Sequence, residues 1–273
     1  MATESLLAFE VLSSVAYLAQ YTTIRETPDC YTHGAKVSSK TLGAVDVFVK
    51  FYVEGQNRTS RGLVNEAVGH LLAKACGLPV APHAFVIDVS GQRLLEAHAS
   101  LRGSINAAHS YPCWATSAVD GAQANQNHAL VIDTLRKWDL LPKMLAFDDW
   151  VANSDRTAAN IICTGKQNLT LIDHGHIGGS LYWMPDLLPA EGSFSSPVLP
   201  EIWPKALPPA IASQMVQNAA EHGRVFSVAK ARLRAVLDFC CDDRLSSRAF
   251  EEFLEKRANG SYERIKKTHG VLI

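Results

Sequence analysis

Long apolar runs are missing from this sequence: nowhere do about twenty consecutive apolar residues occur, which excludes a membrane-spanning helix. An excess of either charge is missing too. Lys and Arg number 26 against 27 Asp and Glu, and the net charge of -1 leaves no broad electrostatic footprint for nucleic acid or an anionic membrane. Cysteine is sparse, with Cys30, Cys76, Cys113, Cys163 and the adjacent Cys240 and Cys241. No CxxC spacing occurs, which argues against a zinc knuckle or a dithiol redox centre and for reduced thiols in a cytoplasmic protein. A secretory leader is not expected either. The apolar opening from Leu6 to Ala19 has Glu4 and Glu10 where a basic region belongs and no small-residue cleavage site, so an ordinary amphipathic helix is expected there. The sequons at Asn57, Asn168 and Asn259 are accordingly expected to be chance matches. Glycines never fall into a GxGxxG phosphate loop, and there are no internal repeats or low-complexity tracts.

What is present suits a folded protein: 47% of the 273 residues are hydrophobic and 19% charged, enough to bury a sizeable core. Helical spacing runs from Ser5 to Gln20, and Pro28 and Gly34 break it. Residues 45 to 53 are dense in β-branched and aromatic side chains and read as a strand with Lys50 inside it. A polar turn from Glu54 to Ser60 leads to a helix over Gly62 to Cys76, stopped by Gly77 and Pro79. Ala84 to Val89 and Gln92 to Ala97 read as two further strands. A long connection, Gly103 to Asn127, then separates a strand-bearing half from a helical one. His128 to Asn153 is helical with a division at Pro142. Short strands at 161–163 and 169–172 flank the turn Thr164 to Asn168. From Gly175 to Pro209 the chain is a Gly- and Pro-rich loop, and helices near Ala210–His222, Val225–Cys240 and Ser246–Lys256 follow. The expected fold class is α+β, one domain over residues 1–273, with a small sheet-bearing lobe to about 102 and a larger, mainly helical lobe over 103–273.

One stretch carries chemistry. Phosphoryl transfer from ATP needs a carboxylate beside the acceptor hydroxyl, oxygen ligands for Mg2+ and a cation on the phosphates. Asp155 and Asn160 stand five residues apart, a short strand pair follows, and Asp173-His174-Gly175 comes directly after it. That order matches a catalytic-loop Asp, a metal-binding Asn and a metal-binding Asp at a strand end. Asp-x4-Asn alone arises readily by chance; the hairpin and the second Asp in the expected place give it weight. Lys50, alone among apolar strand neighbours, either reaches solvent or meets an anion, and Glu66 on the next helix is its expected partner. Glu96, by order alone, falls where a segment between lobes would present backbone groups to adenine.

Val-Phe-Val-Lys-Phe at 47–51, Asn65-Glu66, Gly-Leu-Pro-Val-Ala-Pro at 77–82, the run from Phe147 to Arg156, Asn160 and Leu171-Ile172-Asp173-His174-Gly175 together resemble the HipA-like kinase family. More distantly, they resemble phosphoinositide kinases with their Asp-Arg catalytic loop. The resemblance runs over about residues 30–180. It implies a bilobal protein-kinase-like fold and ATP with Mg2+ as cofactors. Asp155 is implied as catalytic base, Asn160 and Asp173 as metal ligands, and Lys50 on the phosphates with Glu66. The missing glycine-rich loop is a departure, and Ser38, Ser39 or Lys40 in the segment His33–Gly43 are the candidates to take its place. The family's longer toxin members carry an extra N-terminal domain for which this chain is expected to have no room, so toxin activity is not expected to carry over.

Other readings compete for some of these residues. Asp173-His174-Gly175-His176 also fits a metal pair of a hydrolase, although the following glycines suggest that the strand has ended and that His174 packs or hydrogen-bonds locally. Asp148 and Asp149 are expected in a solvated turn with one packing partner to the loop. The five tryptophans, with no interleaved basic residues, read as core or interface anchors. Function is therefore expected to be a cytoplasmic Ser/Thr-type kinase with a protein substrate, itself included, and without nucleic-acid or membrane partners. A noncatalytic kinase-like binding module and a nucleotidyl transferase on the same fold are the alternatives, and no feature specifies an oligomeric state.

Overall fold

The structure, a computed structural model, describes residues 6–54, 59–165 and 168–271. Parts of two expected turns, over Glu54–Ser60 with the sequon at Asn57 and over Thr164–Asn168, lie outside the described residues. The chain is mixed α and β, and it forms two compact units, Met1–Leu63 with Ala81–Ala118, and Val64–Val80 with Val119–Ile273.

In the first unit a six-stranded sheet has the order β1-β5-β6-β4-β3-β2. Its strands are β1 (Glu10–Leu12), β2 (Tyr17–Glu26), β3 (Cys30–Ser39), β4 (Gly43–Tyr52), β5 (Ala84–Ser90) and β6 (Ser110–Ser117). All neighbours are antiparallel except β1 and β5. Strand alternation decides what β4 offers to each side: Val47, Val49 and Phe51 enter the core, while Lys50 lies on the opposite face in register with Thr32 and Trp114. Buried behind the sheet, Tyr17 Oη meets His33 Nε2 at 2.9 Å, His33 Nδ1 meets His98 Nε2 at 3.0 Å, and His98 Nδ1 meets Glu26 Oε1 at 2.9 Å.

Three expectations fail in this unit. The N-terminal helix over Ser5–Gln20 is instead β1, a short 3-10 turn (Ser14–Ala16) and the start of β2 over its described residues. Its apolar residues fit either period, and joining Leu12 and Tyr17 to the sheet core decides for strand. Gln92–Ala97 is not a strand but helix α1 (Gly91–Ala97), where Ser90 Oγ caps the amide of Arg93 and Leu94 is buried. Its Gln-Arg-Leu-Leu-Glu-Ala composition favours helix. Finally, the long connection conceals β6, which lies between β4 and β5. Small residues and Pro112 masked it, and Pro112 falls where β6 pairs with β5 alone, so its missing N–H costs the sheet little.

The second unit is mainly helical; helices and the strand pair stand close to where they are expected over 128–153, 161–172 and 210–256, while the short strand Ala122–Gln123 and the short helix Leu199–Ile202 fall inside segments expected as connection and loop. It contains most of helix α2 (Gly62–Ala75), then β7 (Ala122–Gln123), α3 (Ala124–Arg136), α4 (Leu141–Trp150), β8 (Ile161–Gly165) and β9 (Asn168–Leu171). After these come α5 (Leu199–Ile202), α6 (Pro209–Ala219), α7 (His222–Cys240), α8 (Arg244–Asn259) and α9 (Ser261–His269). Asn127 interrupts α3 with extended backbone and caps the helix proper through its Oδ1 and the Leu130 amide. Every residue of α4 but Lys143 is buried, as suits a helix apolar nearly all round. It packs against α6 and α9, and Trp150 donates to the Leu254 carbonyl at 3.0 Å while stacking on His222. Trp114, Trp138, Trp150 and Trp183 are buried, as anchors should be. No helix among the described residues is long and apolar enough to cross a membrane.

Buried histidines make both units acid-sensitive. Burial lowers His33 and His70 from 6.5 to about 4 and His222 to about 3, with like charge from His98, Lys74 and Arg264 adding to the effect. An unfolded chain takes up these protons at the ordinary value and the native one does not, so this stability is complete above about 6.5 and is lost as pH falls toward 4. Going from pH 7 to pH 5 is expected to cost on the order of 2 kcal/mol per histidine. Melting followed by circular dichroism checks this, and an unchanged midpoint between the two pH values would contradict it.

Candidate active site

Two loops of the second unit run side by side. The first leaves α4 and carries Ser154, Asp155 and Arg156; the second leaves β9 and carries Asp173, His174 and Gly175. Backbone hydrogen bonds lace them: Ser154 N to His176 O at 3.3 Å, Gly178 N to Val151 O and Gly179 N to Ala152 O at 2.8 Å each, and Ile172 N to Asn160 O at 3.0 Å. Among the described residues, the non-glycine positions with positive φ are Ala152 (51°) and Asp173 (61°), one in each loop. An L-residue held in the left-handed region costs on the order of 1 kcal/mol, a strain that recurs at functional sites.

Side chains complete the arrangement. Asn160 is buried and its Nδ2 donates to the Asp155 carbonyl at 2.7 Å, which orients the amide and turns Oδ1 away from that bond. Asp155 and Asp173 are half-buried, so their carboxylates combine a fixed backbone with access to solvent. Arg156 and Asp148 form a completely buried ion pair, Nε to Oδ1 at 3.3 Å, with Asn153 and Ser196 also donating to the Asp148 carboxylate. Burial raises the Asp148 pKa, opposed by the Arg156 charge and these hydrogen bonds. The other arm of the guanidinium reaches the Ile172 carbonyl at 2.6 Å, and Nη2 meets His174 Nδ1 at 3.1 Å. A guanidinium only donates, so His174 Nδ1 is the acceptor.

Helix α2 clamps the second loop from its other side. Glu66, buried, accepts the His174 amide at 3.0 Å. Asn65 donates to the Gly175 carbonyl at 2.6 Å and accepts from Trp183 Nε1 at 2.8 Å. Gly69 lets helix and loop touch: a Cβ there would stand 2.3 Å from His174 Cβ.

Asp155, Asn160, Asp173 and Glu66 thus occupy one connected framework in the second unit, while Lys50 stands on β4 of the first. Glu96 lies on the exposed side of α1, its Oε1 accepting from Gln92 Nε2 at 2.9 Å, and the His98 and Leu101 amides of that segment are spent on local turns. Ser38, Ser39 and Lys40 belong to the end of β3 and the turn before β4, tied down by Glu10 through Ser39 Oγ (2.6 Å) and the Lys40 amide (2.7 Å). Gly43 pairs with Ser39 and Lys50 with Thr32, so that turn lies seven residues, roughly 23 Å, along the strand from Lys50. It and Lys50 are therefore at opposite ends of β4. The turn at the Lys50 end is Thr27-Pro28-Asp29, without a glycine.

Asp148 and Asp149 are also corrected: both are buried, not solvated. Asp149 Oδ1 receives Arg264 Nε at 2.7 Å and Nη2 at 2.6 Å, its Oδ2 accepts the Phe194 amide at 2.9 Å, and Arg257 Nη2 stands 3.5 Å away. Desolvation, helped by Arg264, lowers Arg257 to about 10. The hydrolase-type metal pair at His174 and His176 has no support, since His174 is buried against Phe147 and engaged by Arg156. Among the described residues no group of three or more His, Cys, Asp or Glu side chains could hold a metal ion. Asn160 Oδ1 and the Asp173 carboxylate are hard oxygen donors, a pair that suits Mg2+ when water and phosphate oxygens supply the remaining positions.

A laced Asp loop and Asp-His-Gly loop on a mixed α+β chain are compatible with a kinase-like fold. The HipA-like kinase family model matches residues 48–176, a little under half of the chain, which bears out the resemblance carried by the motifs and supports a kinase-type function. No curated protein matches this sequence.

Gly69→Ala is expected to destabilise the protein by about 1–3 kcal/mol, because His174 is held from both sides and has nowhere to retreat. Chemical denaturation measures this, and a wild-type midpoint would show that the contact yields freely.

Proposed function

We propose that this chain is an ATP- and Mg2+-dependent phosphotransferase of bilobal kinase-like architecture, acting on a Ser or Thr hydroxyl of a protein, its own chain included. The reading rests on one observation: two loops bearing the motif carboxylates are laced by backbone hydrogen bonds, with Asp173 held in left-handed backbone at the strand end. Asp155 accepts the proton of the acceptor hydroxyl, and its half-buried setting leaves it accessible. Asn160 through Oδ1 and Asp173 through its carboxylate hold Mg2+, which when bound offsets charge on the phosphates. Lys50 provides the phosphate-facing cation. The glycine-free turn Thr27-Pro28-Asp29 favours a second reading, a noncatalytic nucleotide-binding module, and the two readings part on whether covalent transfer occurs.

Intact-mass analysis after incubation with ATP and Mg2+, together with transfer of labelled γ-phosphate to a mixed Ser/Thr peptide pool, tests the proposal. Added phosphate supports it, added AMP identifies nucleotidyl transfer instead, and absence of both in wild-type protein leaves the binding module. Asp155→Ala is expected to lower transfer by about 100-fold or more with nucleotide affinity nearly unchanged. Asp173→Ala is expected to weaken Mg2+-dependent nucleotide binding by about tenfold or more, and Lys50→Ala to lower kcat. Full transfer by Asp155→Ala would remove Asp155 from the chemistry.

A further inference from the structure

We propose that Arg156 is a positioning residue, anchored by Asp148 and Ser196, that sets the two metal-ligand segments in register with each other. The proposal rests on the phosphotransferase reading of the same site. Its basis is how one guanidinium distributes its donors. Nε faces both oxygens of Asp148 at 3.3 and 3.4 Å. Nη1 reaches the carbonyl of Ile172, the residue before Asp173, at 2.6 Å and the carbonyl of Asn160 itself at 3.4 Å. Nη2 holds the ring of His174, the residue after Asp173, at 3.1 Å.

Asp173 is thereby gripped on both flanks and Asn160 through its own backbone by a single planar group with no solvent exposure. Ser196 Oγ closes the assembly by donating to Asp148 Oδ2 at 3.2 Å, with the Arg156 carbonyl 3.4 Å away. Stability alone requires only that each buried donor of the guanidinium find some acceptor, wherever in the chain it lies. Here the fork spends its remaining donors on the backbone and ring that aim Asn160 and Asp173, and a lysine could reproduce the charge but not that fan of directions. Groups that orient metal ligands from behind are expected to act on metal affinity before they act on nucleotide affinity.

The test is Mn2+ binding followed by electron paramagnetic resonance, in the presence of a non-hydrolysable ATP analogue, for wild type and Arg156→Lys, with thermal melting alongside. Arg156→Lys is expected to bind Mn2+ about tenfold more weakly and to lower kcat at saturating ATP, while analogue affinity in EDTA stays within about twofold of wild type. A folded Arg156→Lys protein with wild-type Mn2+ affinity overturns the positioning role and leaves the kinase reading standing. Wild-type protein that binds no Mn2+ with the analogue overturns the kinase reading and this inference with it. Should Arg156→Lys not fold, Ser196→Ala removes only the buttress of Asp148, and about a twofold or greater loss of Mn2+ affinity is expected; unchanged affinity there also overturns the role.

Discussion

The second unit is organised by a problem at the end of α4: two consecutive carboxylates, Asp148 and Asp149, are buried at the C-terminal end of a helix, where the backbone dipole already disfavours negative charge. Each is neutralised from a different part of the chain. Arg156 meets Asp148 from the loop that follows the helix, and Arg264 with Arg257 meets Asp149 from α9 and α8. Removing one partner of such a buried pair costs about 3–5 kcal/mol, because the remaining charge is stranded. The need to bury these charges in company brings the Asp155 loop and the C-terminal helices to one place.

From that anchor the ordering spreads by hydrogen bonds rather than by apolar area alone. Arg257 donates to the carbonyls of Trp150, Pro189 and Gly192, so α8 holds the end of α4 and the loop beyond Trp183 together. On the far side of the second loop, α2 uses Asn65, Glu66 and the bare surface of Gly69 to fix the residues after Asp173. The left-handed backbone of Asp173 persists because bonds on both sides of it leave no room for relaxation.

How much of this was legible depended on how far apart the partners lie in sequence. The two loops that carry Asp155, Asn160 and Asp173 were legible because the spacing and the hairpin between them are local. The lysine strand and the helix carrying Glu66 were readable from β-branched content and helical period. Asp149 was misjudged as solvated since the cations that allow its burial come from 108 and 115 residues further on, whereas the partner of Asp148, Arg156, is local and its burial was simply missed. The N-terminal strands were mistaken for a helix because apolar spacing there fits both periods, and only the sheet core chooses. That Ser38 to Lys40 lie far along the sheet from Lys50 was illegible for a different reason: which end of a sheet a turn occupies follows from strand register, which composition does not encode.

Among the described residues the sheet of the first unit ends in β1 and β2, and both are poor templates. β1 is three residues long, and β2 slips register three times against β3 within its ten residues. An incoming strand needs an even row of amide donors and carbonyl acceptors, and irregular or very short edges withhold it. The register slips in β2 therefore break up the even row that edge-to-edge pairing needs. The ten-residue strand that bears Leu18, Tyr21 and Ile24 on its surface thus offers no continuous template to an incoming strand.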